Sequence, residues 1–431
     1  MELNKRILLT LLVASIVVSC SPRSVIIREL KVAETSFGDH KGFLLFDPQS
    51  GKDLVAYHAR RYYTPASNAK IFTLYTSLQL LADSVPALHY IERNDSLIFW
   101  GTGDPSFLYR KVYQSNRVFE FLKNTPAQLA FSSGNFHDER FGPGWAWDDY
   151  EYSFSPERSA FPIYGNLVSF TDSIDNNLKV VPKIFTDSIT ISKEVSEKKI
   201  TRALTANQFT FDSVSTSNSI TREFPFKIYD QLISNLLMDT LKRSVGIIDI
   251  PLPPTRTTLY SVPSDSLYKV MMQESDNFIA DQLLLMSAGI LSDSLKTGIA
   301  IEYMKENWLS DLDDEPIWVD GSGLSRYNLF TPHAVVRLWD KLLRQIPQER
   351  LFALLATGGE AGTIKNLYRN ERPFIYGKTG TLSNNHCLSG YLITKRKKVL
   401  IFSFMNNNYT TSTGEVRQMM DKILRIAHEK Y

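Results

Sequence analysis

The segment 64–73 of this 431-residue chain constrains its fold more than any other stretch, because a turn there leads directly into a helix. Pro65 fixes its own φ angle and disfavours a helical conformation at the preceding residue, so the chain enters the turn extended. Apolar residues then recur at the spacing of one buried helical face, at Ile71, Leu74, Tyr75, Leu78 and Leu81. We therefore expect a helix that begins near Ser67 and packs one side against a core.

Ser67 and Lys70 would lie on the same side of the first turn of this helix, since residues three apart are neighbours. A serine hydroxyl becomes a nucleophile only when a base lies within hydrogen-bond reach. A lysine amine can be that base when burial or a second cation lowers its pKa. Taken alone, however, the Ser-x-x-Lys pattern is common, and by itself it favours a helix-capping Ser67 and a solvated Lys70.

The first twenty residues have the pattern of a secretory signal. Lys5 and Arg6 precede an apolar run at 7–18, which is too short to span a bilayer. The run ends at Val17-Val18-Ser19-Cys20, which resembles the lipobox of bacterial lipoprotein signals. The resemblance implies that residues 1–20 are a signal peptide and that Cys20 becomes the lipidated mature N-terminus. The alternative is a plain secretory signal with an incidental cysteine.

The net charge, the cysteine count and the absent motifs limit what the protein can bind. The net charge of +2, from 48 basic and 46 acidic residues, argues against a nucleic-acid binder driven by bulk charge. With Cys20 lipidated, Cys387 is the only other thiol, so no intramolecular disulfide is possible, and its apolar surroundings favour a packing role. No metal-binding motif and no phosphate-binding loop is present, so we expect neither a metal nor a cofactor.

Strand-like runs at the two ends of the chain predict one antiparallel sheet of five strands with helices on its faces, an α+β fold. These runs are 42–46, 54–57, 372–376, 387–394 and 399–405. Between them, from 91 to 245, short strand-like runs alternate with turn residues, which indicates an inserted β-rich domain. The main domain would then comprise residues 24–90 and 246–431, and would include helical segments such as 265–286.

Two further motifs give the Ser-x-x-Lys pattern its meaning. Ser275-Asp276-Asn277 lies at a break between two helical runs, and Lys378-Thr379-Gly380 follows a strand-like run. Ser-x-x-Lys, Ser-x-Asn and Lys-Thr-Gly in this order are the signature of penicillin-binding proteins and serine β-lactamases, which the chain therefore resembles. The resemblance implies the penicillin-recognising serine transferase fold, in which the five-stranded sheet is joined by a helical subdomain.

Acyl transfer needs a nucleophile, a base, a proton route and donors for the oxyanion. Ser67 would attack the carbonyl carbon and Lys70 would accept its proton. Ser275 would relay that proton onwards, while Asn277 would hold Lys70 and the substrate amide by hydrogen bonds.

The remaining site residues come from the Lys-Thr-Gly motif and the residue after it. Lys378 adds a positive charge that can lower the pKa of Lys70 and attract a substrate carboxylate. Thr379, Gly380 and Thr381 would bind the substrate, with the two hydroxyls directed at that carboxylate. In the family the oxyanion hole consists of two backbone N–H groups, which correspond here to Ser67 and Thr381.

Longer stretches resemble the class C low-molecular-mass penicillin-binding proteins, which are D-alanyl-D-alanine carboxypeptidases and endopeptidases of peptidoglycan. These stretches are 101–105, 142–149, 159–161 and 320–326, and the last of them resembles the family's loop beside the active site. The resemblance implies an enzyme of the periplasm or cell envelope, anchored by lipid, that acts on peptidoglycan stem peptides through an acyl-enzyme on Ser67. β-Lactam antibiotics would inhibit it as mimics of D-Ala-D-Ala.

Two alternatives stay open at this point. A β-lactamase needs fast deacylation, and no dedicated deacylating carboxylate is identifiable in the sequence. A non-catalytic peptidoglycan-binding lipoprotein would have no need of all five catalytic candidates. The preference between carboxypeptidase and endopeptidase activity cannot be read from the motifs.

Overall fold

The computed structural model of the protein describes residues 21–112, 115–172, 178–193, 199–213 and 221–431. The predicted signal peptide and the predicted lipidation site, Cys20, lie outside these ranges. None of the helices in the described ranges is both long and apolar enough to cross a membrane.

The helices of the described ranges are α1 (Pro22–Phe37), α2 (Lys70–Leu80), α3 (Arg117–Asn124), α4 (Asp230–Leu241), α5 (Ser264–Gln273), α6 (Asn277–Ser292), α7 (Thr297–Asn307), α8 (Pro332–Gln345), α9 (Gln348–Leu354) and α10 (Thr413–Lys430). The strands are β1 (His40–Asp47), β2 (Lys52–Tyr57), β3 (Ser84–Arg93), β4 (Ser96–Gly101), β5 (Gln128–Ser132), β6 (Leu167–Asp172), β7 (Leu178–Val181), β8 (Ile189–Ser192), β9 (Ile200–Arg202), β10 (Phe209–Asp212), β11 (Thr221–Pro225), β12 (Val245–Ile247), β13 (Thr257–Pro263), β14 (Ala356–Thr357), β15 (Ile375–Leu382), β16 (Asn385–Ile393) and β17 (Val399–Asn407).

The main sheet joins strands from both ends of the chain in the order β14-β15-β16-β17-β1-β2, with every neighbouring pair antiparallel. The predicted α+β fold with an antiparallel sheet is confirmed, and the two-residue strand β14 adds a sixth strand at one edge. The predicted strand 372–376 is wrong in its bounds, because β15 runs from Ile375 to Leu382. Lys378 pairs with Ser389 of β16, so the Lys-Thr-Gly motif lies inside the strand.

Helices cover both faces of this sheet, and each face has its own hydrophobic core. Side chains of successive strand residues point to opposite faces, so Phe43 of β1 packs in one core and Leu44 in the other. The first core contains α1 and α10, with Ile423 as an example. The second contains α2, α6 and α8, with Phe72 and Leu283 fully buried. The second core supports the helix that follows Ser67.

A second unit is built around the five-stranded sheet β12-β5-β4-β3-β13, with two three-stranded sheets and the helices α3 and α4. Three of the five strands lie partly or wholly beyond the predicted bounds 91 and 245, namely Ser84–Arg93, Val245–Ile247 and Thr257–Pro263. The division into domains stays a prediction, and from the strand pairing we place the bounds of the inserted unit near 84 and 263.

Candidate active site

Ser67 and Lys70 lie where the turn enters the helix. Residues Ala66–Ala69 form one 3₁₀ turn, and α2 begins at Lys70 itself. The Ser67 side chain is half-buried, whereas Lys70 is completely buried, so the interpretation of Lys70 as a solvated surface residue is wrong. Lys70 Nζ lies 3.0 Å from Ser67 Oγ. The spacing of three residues therefore places the two groups within hydrogen-bond reach.

The Lys70 amine is held by two further oxygen atoms. It donates to Asn277 Oδ1 and to the backbone carbonyl of Ser322, each at 2.6 Å. Burial lowers the pKa of Lys70 to about 8, although the negative charges of Asp281, Asp320 and Asp276 act in the opposite direction. A neutral amine keeps two N–H donors for Asn277 and Ser322 and one lone pair. That lone pair then faces the Ser67 hydroxyl.

The Ser-x-Asn motif forms hydrogen bonds with both lysines of the site, Lys70 and Lys378. Asn277 is the first residue of α6, and its amide nitrogen donates to the Phe154 carbonyl at 2.9 Å. Ser275 lies just before this helix at φ 61°, and its hydroxyl accepts a hydrogen bond from Lys378 Nζ at 2.8 Å. Asp276, between them, caps the helix by accepting from a backbone N–H. The motif thus places Asn277 at one amine and Ser275 at the other.

Lys378 is completely buried on β15, where its amine also donates to the Thr379 carbonyl at 2.7 Å. Burial lowers its pKa well below the ordinary value, and the nearby charge of Lys70 lowers it further. The Asn68 side chain donates to the Lys378 carbonyl at 3.1 Å and so joins the serine turn to this strand.

Gly380 allows the strand to approach the serine turn closely. A Cβ atom added at this position would lie 2.5 Å from the Pro65 carbonyl oxygen and 2.9 Å from the Ser67 nitrogen. Both distances are shorter than any normal contact, so a side chain cannot fit without moving the backbone. The site therefore needs glycine here.

The two threonine hydroxyls of the motif already have hydrogen-bond partners. Thr379 Oγ1 lies 2.7 Å from Thr363 Oγ1, and Thr381 Oγ1 lies 2.8 Å from His386 Nδ1. Burial lowers the pKa of His386 to about 3, so the imidazole is neutral and can orient the Thr381 hydroxyl. Cys387, next along β16, is buried, as its apolar surroundings led us to expect.

A cleft of about 640 Å³ opens over these groups. Ser67, Asn277 and Thr381 line it from the main domain, and Asp149 and Phe154 line it from the inserted region. Contacts between residues far apart in the sequence thus bring the predicted catalytic residues together at one site. In the described ranges no three His, Cys, Asp or Glu side chains are grouped so that they could hold a metal ion.

Comparison with known proteins identifies the family. Residues 30–430 match the model of the D-Ala-D-Ala carboxypeptidase 3 (S13) family. The chain belongs to this family. The prediction of a serine-type D-alanyl-D-alanine carboxypeptidase related to the penicillin-binding proteins is therefore confirmed.

Curated relatives align with nearly the whole chain. The D-alanyl-D-alanine carboxypeptidase DacB of Haemophilus influenzae is 22% identical, over 91% of this chain and 91% of the relative. The D-alanyl-D-alanine carboxypeptidase of Actinomadura sp. is 24% identical, over 86% of this chain and 78% of the relative. Penicillin-sensitive carboxypeptidase A of Dictyostelium discoideum is 21% identical, over 91% of this chain and 88% of the relative.

Solved structures confirm the fold. The crystal structure of penicillin binding protein 4 from Haemophilus influenzae superposes with a TM-score of 0.74 at 20% identity, covering 92% of this chain and 97% of the other. The same protein complexed with a β-lactam gives a TM-score of 0.68 at 18% identity, covering 91% and 97%. The predicted penicillin-recognising fold is therefore confirmed.

Several groups of this S13 site were not identified from the sequence. The carbonyls of Ser322 and Phe154 contact the catalytic candidates through the backbone, which leaves no signal in residue type. The loop 320–326 was recognised as a neighbour of the site, but the contacts of Asp320 within it were not. Arg158 and Asp281 are 123 positions apart in the chain, and no local pattern connects them.

Proposed function

We propose that the protein removes the terminal D-alanine from peptidoglycan stem peptides through an acyl-enzyme on Ser67, with Lys70 as the general base. One observation carries the proposal. The Asn277 side chain and the Ser322 carbonyl each accept a hydrogen bond from the Lys70 amine, which leaves its third position directed at Ser67 Oγ, 3.0 Å away. A base held in this way can accept the hydroxyl proton as the nucleophile attacks.

Acylation would proceed in two bond changes. Ser67 Oγ attacks the carbonyl carbon of the penultimate residue while its proton moves to Lys70. The carbon–nitrogen bond then breaks, and the departing D-alanine amine takes up a proton that Lys70 or Ser275 delivers. Water hydrolyses the resulting ester. The backbone N–H groups of Ser67 and Thr381 would stabilise the oxyanion of each tetrahedral intermediate, and the close approach of the strand at Gly380 supports this pairing.

Lys378 would recognise the free carboxylate of the substrate. Within the described ranges, no carboxylate lies within ion-pair distance of its amine, which donates only to the Ser275 hydroxyl and the Thr379 carbonyl. A substrate anion would supply the missing partner, and the hydroxyls of Thr379 and Thr381 would add hydrogen bonds to it. This requirement fits a peptidase that acts at a peptide C-terminus.

β-Lactams would acylate Ser67 in the same way, because the strained amide presents its carbonyl and carboxylate with similar spacing. We also propose that the protein acts in the bacterial envelope and is anchored by lipid on Cys20. The position of helix α1, which begins at Pro22, would keep the folded part close to that anchor.

The test is intact-protein mass spectrometry after treatment with fluorescent penicillin, together with an assay of D-alanine release from a muramyl pentapeptide. A stable adduct on the wild type that is absent from Ser67→Ala, with release of D-alanine by the wild type alone, is expected. D-Alanine release by Ser67→Ala at the wild-type rate would refute the mechanism.

The same experiment separates the alternatives. Rapid consumption of penicillin without a lasting adduct would indicate a β-lactamase. Neither adduct nor turnover would favour the non-catalytic binding protein. Incubation with a crosslinked muropeptide dimer shows whether the enzyme also acts as an endopeptidase.

A further inference from the structure

Arg158 carries a buried positive charge where the inserted unit meets helix α6. Only 1% of its side chain is exposed, and its Nη2 atom donates to Asp281 Oδ1 at 2.6 Å. Asp281 is equally buried on α6. A weaker contact, 3.5 Å long, joins Arg158 Nη1 to Asp138. Charges this deeply buried are retained only with close partners, so the pair fixes the inserted unit against the helix.

The ion pair also reaches the loop beside the active site. Asp281 Oδ1 accepts a second hydrogen bond from the Gly321 backbone N–H at 3.2 Å. The next carboxylate, Asp320, accepts from the indole N–H of Trp145 at 2.8 Å, and the Arg158 guanidinium lies 5.3 Å from the Trp145 ring. Two residues of the inserted region thus hold the two carboxylates that shape this loop.

The loop in turn holds the general base. The Ser322 carbonyl accepts the hydrogen bond from Lys70 Nζ at 2.6 Å, and the Gly321 carbonyl accepts from Thr73 Oγ1 at 2.8 Å. A Cβ atom added at Gly323 would lie 1.9 Å from the Ala66 carbonyl oxygen, so the loop is packed directly against the serine turn. A displacement of the loop would therefore displace Lys70 relative to Ser67.

We propose that Arg158 is a positioning residue of the reaction, which acts through Asp281 and the loop 320–325 on the position and charge of Lys70. This inference rests on the proposed function of Lys70 as the general base. It assigns to the inserted unit a part in catalysis beyond lining the cleft.

The charged groups around Lys70 determine whether the loss of Arg158 or Asp281 favours its ammonium form or its neutral form. These groups are Asp276, Asp281, Asp320 and Lys378. Arg158 offsets the charge of Asp281, and without it the uncompensated carboxylate would favour the ammonium form of Lys70. Acylation would then need a higher pH. Loss of Asp281 would remove a negative charge near Lys70 and leave Arg158 with only the weaker contact to Asp138, so acylation would reach its maximum at a lower pH.

The experiment measures the rate of Ser67 acylation by fluorescent penicillin from pH 5 to 10 for the wild type, Arg158→Met, Asp281→Asn and the double variant. In Arg158→Met we expect the pH at which the acylation rate is half-maximal (the midpoint) to rise by about half a pH unit or more. This rise lowers the acylation rate at pH 7 about threefold or more. In Asp281→Asn the midpoint should fall by a similar amount. The double variant should return towards the wild type, because both charges are gone.

Gln282→Leu is the matched control. Gln282 follows Asp281 on the same helix, and it joins the same inserted segment through hydrogen bonds to the backbone N–H and carbonyl of Ser159. Its replacement loosens the junction without changing a charge, so the protein should melt at a lower temperature with an unmoved pH midpoint. A conservative Arg158→Lys variant should restore most of the wild-type profile.

The outcomes separate this inference from the proposed function. Opposite shifts in the two single variants support it. Folded variants whose midpoints match the wild type, or a shift of equal size in Gln282→Leu, overturn it while Ser67 acylation stands. If Arg158→Met does not fold, Asp281→Asn and the double variant still test the inference. A pair with only a structural role would not lower the pH midpoint of acylation in Asp281→Asn. A wild type that is not acylated on Ser67 refutes the proposed function itself.

Discussion

The pKa of Lys70 gives the sharpest quantitative expectation. Burial brings it to about 8 from an ordinary value of 10.5. At pH 7 the neutral amine would then make up about one tenth of the protein, against about one part in three thousand for an ordinary lysine. The ratio is roughly 300-fold, which corresponds to about 3.4 kcal/mol of free energy. Only the neutral amine can accept the Ser67 proton, so the acylation rate should follow its fraction.

The rate constant for acylation of Ser67 by penicillin should therefore rise about tenfold per pH unit from pH 5 to 7 and level off above about pH 8. Stopped-flow mixing with fluorescent penicillin measures it, with the hydrolysis of penicillin in buffer subtracted at each pH. Lys70→Arg is the matched control, because a guanidinium stays protonated throughout this range. It should lose about a thousandfold or more in rate.

Three results would refute this reasoning. A wild-type rate that does not change between pH 6 and 9 would mean that Lys70 does not titrate as the base. A rate that keeps rising to pH 10 without a plateau would mean that burial does not lower its pKa. Residual acylation by Lys70→Arg at near the wild-type rate would assign the base to another group.

Two further predictions concern single side chains. Gly380→Ala should lower the rate of Ser67 acylation by about a hundredfold or more at every pH, because a misplacement of about 1 Å near the nucleophile is enough for such a loss. The same penicillin assay measures this rate. A near-normal rate would show that strand β15 and the serine turn can separate without cost. Thr331→Ala should lower the free energy of unfolding by about 1 kcal/mol, since its hydroxyl caps helix α8 by accepting from the Ala334 N–H at 3.0 Å. Urea denaturation at constant pH measures this loss, and an unchanged midpoint would contradict it.

The motifs allowed the candidate catalytic residues to be selected from the sequence because each sits on a short local structure. The apolar spacing after Lys70 gave the helix, and three residues along a helical turn fix the direction of Ser67. The bounds of the strand that carries Lys378 were predicted wrongly for a physical reason. Strand β15 is polar along much of its length and is held by backbone pairing with β16, which apolar periodicity does not report.

The environment of the base was beyond sequence reasoning for a different reason. The Ser322 carbonyl is a backbone group, and every residue has one. Arg158 and Asp281 are unremarkable charged residues in sequence, and only the packing of the inserted unit on α6 buries them together. Contacts of this kind depend on the tertiary fold, which local patterns do not encode.

The burial of two lysines side by side explains why the site needs so many acceptors. A charged ammonium without water is costly, and the charge of Lys70 further lowers the tendency of Lys378 to take up a proton. Since the pKa of Lys70 lies below its unfolded value, the cost to stability is fully present below about pH 8 and declines as the pH rises towards 10.5. Asp281 and Asp320 reduce that cost, because their negative charges favour the ammonium form of Lys70. The positive charge of Arg158 offsets part of the negative charge, so the cost is not cancelled. On the proposed mechanism, the reactivity of Ser67 depends on a balance of charges that extends into the inserted unit.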